Sequence, residues 1–144
     1  MKIAIDPGWS GGLAVQFNNG KTEAIACPET QADMILFIRD YAASEEKKSA
    51  VIEKVHAMPG QGVSSTWKFA VNYATWQSAL IAFHIPFVEV SPQSWQKIFG
   101  NLPKEKKERK KAIRDQVQKR YPQLKVNLVN ADALAMLSIF EKIT

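Results

Sequence analysis

Three acidic residues lie at the ends of apolar runs, and they constrain the fold of this 144-residue chain more than any other feature. Asp6 ends the first strand-like run, Glu53 ends a second one, and Asp132 lies in the first turn of the last helix-like run. In an α/β fold these positions meet at one edge of the sheet. Carboxylates that lie close together repel one another and need a cation, and Mg²⁺ prefers oxygen ligands. The pattern therefore predicts a Mg²⁺ site, with Mn²⁺ as an alternative.

Each acid also has a simpler interpretation. Asp6 could be a turn residue, and Asp132 could be no more than a favourable charge at a helix start. Glu53 is harder to explain in this way, because an unpaired glutamate that ends an apolar strand is costly. The joint placement of the three favours a functional site, in which bound cations could activate water and stabilise the leaving oxygen of a phosphodiester.

The positive charge of the chain is concentrated in one segment. The net charge is +5, and residues 104–114 contain seven lysine and arginine residues against two glutamates. A basic patch of this density commonly faces a polyanion such as nucleic acid. The alternative is a solvated helix with Glu–Lys pairs one turn apart. Together with the acids, the basic segment favours a nuclease.

The order of the elements predicts an α/β fold within a single domain, residues 1–144. Three strands joined by short turns open the chain, and Asn18-Asn19-Gly20 forms a hairpin turn. Next come a helix that begins after Thr30, a buried strand that ends at Glu53 and a long helix. The chain continues with another strand, a short helix that begins at Ser91-Pro92 and two further helices. This order predicts a mixed sheet with helices on its faces. No apolar run is long enough to span a membrane.

The long helix, which extends to about Phe83, is apolar on two opposite sides. One side carries Trp67, Ala70, Val71, Ala74 and Ile81, and the other includes Phe69, Tyr73, Trp76 and Leu80. A single sheet can cover only one side, so the other needs a neighbouring helix or a second subunit. We favour a second subunit. The sequence leaves open which side dimerises, and we assign the interface to Phe69, Tyr73, Trp76 and Leu80.

The loop after Glu53 is suited to phosphate binding. Gly60, Gln61 and Gly62 leave backbone amides open to close approach, and Ser64 or Ser65 could cap the helix that follows. An ordinary loop between a strand and a helix is the alternative.

The acids and their surroundings resemble the ribonuclease H fold and, more narrowly, the RuvC-type Holliday-junction resolvases in their compact bacteriophage version. The matching segments are Ile3-Ala4-Ile5-Asp6-Pro7-Gly8, Val51-Ile52-Glu53, Met58-Pro59-Gly60-Gln61-Gly62-Val63-Ser64-Ser65, Val90-Ser91-Pro92 with Trp95-Gln96-Lys97, and Ala131-Asp132-Ala133-Leu134. The glutamate strand together with the glycine- and serine-containing loop is the specific part.

This resemblance implies a ribonuclease H-like sheet of five strands, an antiparallel three-strand meander plus two parallel strands, flanked by helices. It implies a cytoplasmic homodimer, in the host cytoplasm if the protein is phage-encoded, that cuts opposing strands of a four-way DNA junction with Mg²⁺. Asp6, Glu53 and Asp132 would be both the catalytic residues and the metal ligands. The expected DNA-binding residues are Lys54, Gly60, Gln61, Gly62, Ser64, Ser65, Lys68, Lys97, Lys104, Lys107, Lys110, Lys111 and Arg114.

One departure from the family pattern stands out. The family has a fourth acid three or four residues before the last aspartate, where this chain has Val129 and Leu128. Asn127 and Asn130 lie nearby, and an asparagine oxygen can coordinate a hard cation without supplying the missing charge. Two alternatives stay open: a ribonuclease H-like nuclease for other branched DNA or hybrids, and a non-catalytic junction-binding protein, which the missing fourth acid would allow.

Overall fold

A computed structural model describes residues 1–56, 60 and 62–144. Gln61, predicted to contact DNA, lies outside these residues. The described strands are β1 (Lys2–Asp6), β2 (Gly12–Gln16), β3 (Thr22–Ala26), β4 (Ser49–Glu53) and β5 (Phe87–Val90), and they form one sheet in the order β3-β2-β1-β4-β5. β1, β2 and β3 pair antiparallel, whereas β4 pairs parallel with β1 and with β5. The predicted meander with two parallel strands is confirmed.

The described helices are α1 (Gln31–Ala42), α2 (Val63–Ala82), α3 (Pro92–Gln96), α4 (Lys106–Arg120), α5 (Ala131–Ser138) and α6 (Phe140–Ile143), and a 3-10 turn spans Lys97–Phe99. The Thr30 and Ser91 side chains cap α1 and α3 as predicted. The predicted serine cap of α2 was wrong, because Gly62 is the N-cap residue and makes no side-chain bond. None of these helices has the length and apolar character needed to cross a membrane.

The helices cover the sheet on both faces. Alternate residues of β1 point to opposite sides, so that Ile3 and Ile5 pack in a cluster with α1 and α2, whereas Ala4 packs in a cluster with α4 and α5. The same alternation in β4 sends Ile52 to the first face and Val51 to the second. The direction of each strand-end side chain follows from this register.

The packing of α2 corrects the predicted dimer interface. Trp76 and Leu80 are fully buried against the sheet, and their burial contributes about 1.5–3 kcal/mol each. Tyr73 is half-buried and its hydroxyl donates to Glu89, which lies on the sheet edge strand β5. Phe69 packs against the turn after β1. All four assigned residues are therefore engaged within the chain. The opposite side of α2 is exposed instead, at Val63 (88%), Trp67 (71%) and Ile81 (64%).

Candidate active site

Strand register brings two of the acids to one side of the sheet. Ile5 pairs with Ile52 in the parallel ladder, and Asp6 and Glu53 are the next residues of their strands. Because side chains alternate, both carboxylates point to the face that carries Ala4 and Val51, where α4 and α5 pack. The geometry that the sequence predicted for these two acids follows directly from the sheet.

The turn after Asp6 is anchored to α2 by a buried asparagine. The Gly8 amide donates to Asn72 Oδ1 at 2.7 Å, and Asn72 Nδ2 donates to Cys27 Sγ at 3.2 Å. Gly8 has φ +116°, and an added Cβ would lie 2.9 Å from the Phe69 ring. Only glycine suits this position, because the backbone is left-handed and Phe69 fills the adjacent space. Asn72 and Phe69 thus fix the chain directly behind Asp6.

Asp132 reaches the site from the first turn of α5. Gly12 allows the preceding loop to approach β2, since an added Cβ there would lie 2.9 Å from the Val129 carbonyl oxygen. Asn127 Oδ1 accepts from the Val129 and Asn130 amides, and Asn130 Oδ1 accepts from the Asn127 amide. The two asparagines therefore hold the loop together, and their oxygens are engaged there instead of at a cation.

The three carboxylates share one electrostatic environment. Burial raises the pKa of Asp6 well above its ordinary range, and the charges of Asp132 and Glu53 raise it further. Burial also raises the pKa of Glu53 to about 7, with the Asp132 charge adding to the effect. The pKa of Asp132 is raised by burial as well. Buried like charges resist ionisation together, so the free protein favours protons on this cluster.

Two neighbours oppose this effect. The Lys110 ammonium lies 3.6 Å from Asp132 Oδ2 and lowers the pKa of all three acids. The indole nitrogen of Trp95 donates to Glu53 Oε2 at 2.6 Å, which favours the ionised form of that carboxylate. Lys110 is therefore the positive charge that α4 directs into the acidic cluster. The sequence predicted it only as a contact to DNA.

The acids line a cavity of about 400 Å³ whose rim is basic. Lys54, Lys106, Arg109 and Lys110 contribute the positive side chains, and His56 also lines it. The cavity thus combines carboxylates with positively charged side chains, which can attract a divalent cation and a phosphate to the same place.

The other predicted DNA-binding residues that the structure describes do not line this cavity, and they differ in exposure. Arg114 is half-buried and bonds Asp115, and Lys111 pairs with Glu108 at 3.2 Å. The remaining described ones are exposed: Gly60, Gly62, Ser64, Ser65, Lys68, Lys97, Lys104 and Lys107.

The donor set fits a hard divalent cation, since it consists of carboxylate oxygens that repel one another. Within residues 1–56, 60 and 62–144, however, no three His, Cys, Asp or Glu side chains lie close enough together to coordinate a metal ion as they stand. Lys110 supplies a positive charge beside the cluster. Asp6, Glu53 and Asp132 are the residues that would hold the ion after side-chain adjustment.

Sequence reasoning missed several residues of the site. The contact of Trp95 with Glu53 joins positions 42 residues apart, and that of Asn72 with Gly8 joins positions 64 apart. A pattern within a few neighbouring residues cannot predict contacts between positions so far apart in the sequence. One signal for Asn72 was available, because an asparagine inside an apolar helix face requires a buried partner.

Comparison with known proteins shows the fold. No protein-family model matches the sequence, and no curated protein matches it. The structure of T. thermophilus RuvC in complex with a Holliday junction substrate aligns with a TM-score of 0.64 at 13% identity, over 94% of this chain and 89% of that one. A second structure of Thermus thermophilus RuvC aligns with a TM-score of 0.58 at 14% identity, over 92% and 89%.

This chain has the RuvC fold. The ribonuclease H-like arrangement that the resemblance implied is thereby confirmed, and the match extends over nearly the whole described chain. At this level of identity the RuvC likeness establishes architecture, so the activity has to be argued from the site itself.

Proposed function

We propose that this protein is a divalent-metal-dependent endonuclease that resolves four-way DNA junctions. The observation that supports it most is the convergence of Asp6, Glu53 and Asp132 in one cavity with a basic rim. RuvC, whose fold the chain shares, has been solved with a Holliday junction substrate. The basic residues of α4 supply the charge that a DNA backbone needs.

In phosphodiester hydrolysis the acidic and the basic residues of the cavity would have different roles. A bound Mg²⁺ or Mn²⁺ would supply positive charge to the reacting phosphate and its attacking water. Asp6, Glu53 and Asp132 would hold it, and Trp95 would orient Glu53 through its 2.6 Å hydrogen bond. Lys106, Arg109 and Lys110 would hold the phosphate over the acids and neutralise charge that develops on it.

A substrate panel tests this proposal. Synthetic four-way junctions, three-way junctions, flaps, RNA–DNA hybrids and linear duplex are incubated with the protein at equal salt, with Mg²⁺, Mn²⁺ or EDTA. Paired nicks in opposing strands of the four-way junction, absent in EDTA, are the expected result. Preferred cleavage of hybrids or flaps would instead indicate a ribonuclease H-like nuclease of another specificity.

A non-catalytic junction-binding protein is the second candidate. It is favoured by the apolar residues Leu128 and Val129 at the place of a fourth acid and by the Lys110–Asp132 pair. Tight binding of the four-way junction without cleavage in either metal would select this candidate over the endonuclease.

We further propose a homodimer formed through the exposed side of α2. Val63, Trp67, Ala70, Ala74 and Ile81 follow one another at spacings of four, three, four and seven residues, which places them on one stripe, and all five are exposed. Such a stripe suits helix–helix packing, with small alanines that allow close approach at its centre. Cleaving opposing strands requires two sites, so a dimer also fits the proposed activity.

Charge on this stripe is expected to separate the subunits. We expect Ala74→Glu/Ile81→Glu to convert a dimer to a monomer in light-scattering chromatography, because four carboxylates would then meet across the interface. Leu36→Glu is the matched control, since Leu36 is also exposed (43%) but lies on α1. A wild-type chain that stays monomeric at tens of micromolar would argue against this dimer.

The basic helix yields a separate expectation. Replacing Lys104, Lys107 and Lys111 by glutamine is expected to weaken binding to all DNA and to flatten the salt dependence by about 2–3 in the slope of log K against log salt. The control replaces Lys21, Lys47 and Lys142, which removes equal charge at the other end of the strands. An unchanged slope in the first triple variant would exclude Lys104, Lys107 and Lys111 from the DNA interface.

A further inference from the structure

A second hollow, of about 500 Å³, adjoins the acidic cavity. The two share Pro7, Ser10 and Phe69 as walls, so a chain that crosses the acids could continue into the hollow. Trp9 and Phe69 give it aromatic surface, and Ser65 and Lys68 add a hydroxyl and a positive charge. The hollow therefore offers stacking and phosphate contacts side by side.

Trp9 is the distinctive residue of this hollow. It follows Asp6 by three positions, belongs to neither apolar core cluster, and remains 39% exposed. Its indole nitrogen donates to the Lys68 carbonyl oxygen at 3.2 Å, which ties the side chain to α2. The polar edge of the indole is thus engaged, and its apolar ring surface remains for contact with a ligand. A large ring held in place and left open to solvent is pre-organised for stacking.

We propose that this hollow receives an unpaired base next to the phosphate that is cut, stacked on Trp9. The inference rests on the proposed function, because it requires a DNA backbone at the acids. A base inside a duplex is already stacked between its neighbours, whereas one at a branch point can turn outward and stack on an aromatic side chain. Lys68 then lies beside the phosphate of the same nucleotide. Trp9 is in this way a residue that selects branched over linear DNA.

Paired substitutions in protein and DNA test this assignment. Four-way junctions carrying a symmetry-related pair of abasic sites, one for each subunit, moved one nucleotide at a time around the branch point, are bound in EDTA by wild type, Trp9→Ala and Trp9→Phe. Trp9→Ala removes one aromatic–base stack from each subunit, and we expect it to lose about tenfold in affinity for the intact junction per stack. At one abasic position the wild type should lose the same amount, and the two losses should not add. Trp9→Phe should retain most of the affinity.

The outcomes separate the two proposals. Losses that add at every abasic position, or a Trp9→Ala variant that binds like wild type, would overturn the Trp9 assignment and leave the junction-resolving function intact. A wild-type protein that binds four-way junctions no better than linear duplex would overturn the proposed function, and this inference with it. Circular dichroism and thermal unfolding of both variants confirm that they are folded.

Discussion

Asp6→Asn is expected to abolish cleavage of a four-way junction while leaving the junction bound. The substitution keeps the shape of the side chain and removes one of the charges that would hold the metal, at the acid whose pKa is raised by burial and by both of the other carboxylates. Losses on removing a charge that stabilises the transition state are commonly 100-fold to 1000-fold, and loss of a metal ligand is expected to reach at least the upper figure.

The assay compares single-turnover cleavage and binding of the same labelled junction. Asp40→Asn is the matched control, since Asp40 is an exposed aspartate of α1 that pairs with the neighbouring Arg39 on the other side of the sheet. It should cut like wild type. Full cutting by Asp6→Asn would show that the metal site is wrongly assigned, and loss of binding as well as cutting would show that Asp6 has a structural role.

Glu53→Gln is expected to stabilise the metal-free protein at neutral pH. Because folding raises the pKa of Glu53 from 4.5 to about 7, the folded state holds its proton more tightly than the unfolded state does. The resulting stability is fully present below pH 4.5 and is lost as the pH rises through 7. At about 1.4 kcal/mol per pKa unit, this loss is roughly 3 kcal/mol. The glutamine carries no such penalty and can still accept the Trp95 hydrogen bond.

Thermal unfolding across pH 5 to 8, with and without Mg²⁺, measures this effect. Without metal, the wild type should lose stability toward pH 8, and Glu53→Gln should lose less and unfold several degrees higher at pH 8. Mg²⁺ at about 100 times its Kd should stabilise the wild type by about 2.7 kcal/mol and have little effect on the variant. A wild-type protein that is most stable at pH 8 without metal would contradict the carboxylate cluster.

The sequence was sufficient for the parts of the fold that depend on local pattern. Strand alternation and turn residues located all five strands, and the strand-end positions of Asp6 and Glu53 were enough to place both at one sheet edge. Thr30 and Ser91 marked two helix starts because capping is a local hydrogen bond. In each case the determining interactions lie within a few residues.

The wrong predictions arose where the local sequence fits two different packing arrangements equally well. α2 is apolar on both sides, and its sequence does not say which side meets the sheet. The structure buries Trp76 and Leu80 and exposes Trp67 and Ile81, the reverse of the assigned interface. Long-range pairs such as Lys110 with Asp132 depend on how α4 crosses α5, which tertiary packing determines.

The central claim is that Asp6, Glu53 and Asp132 together bind a divalent ion, and anomalous diffraction from crystals soaked in Mn²⁺ tests it most directly. We expect at least one manganese peak within ligand distance of all three carboxylates, with the Lys110 side chain moved away from Asp132. A peak elsewhere in the protein, or carboxylates that still pair only with Lys110 at saturating Mn²⁺, would contradict the account.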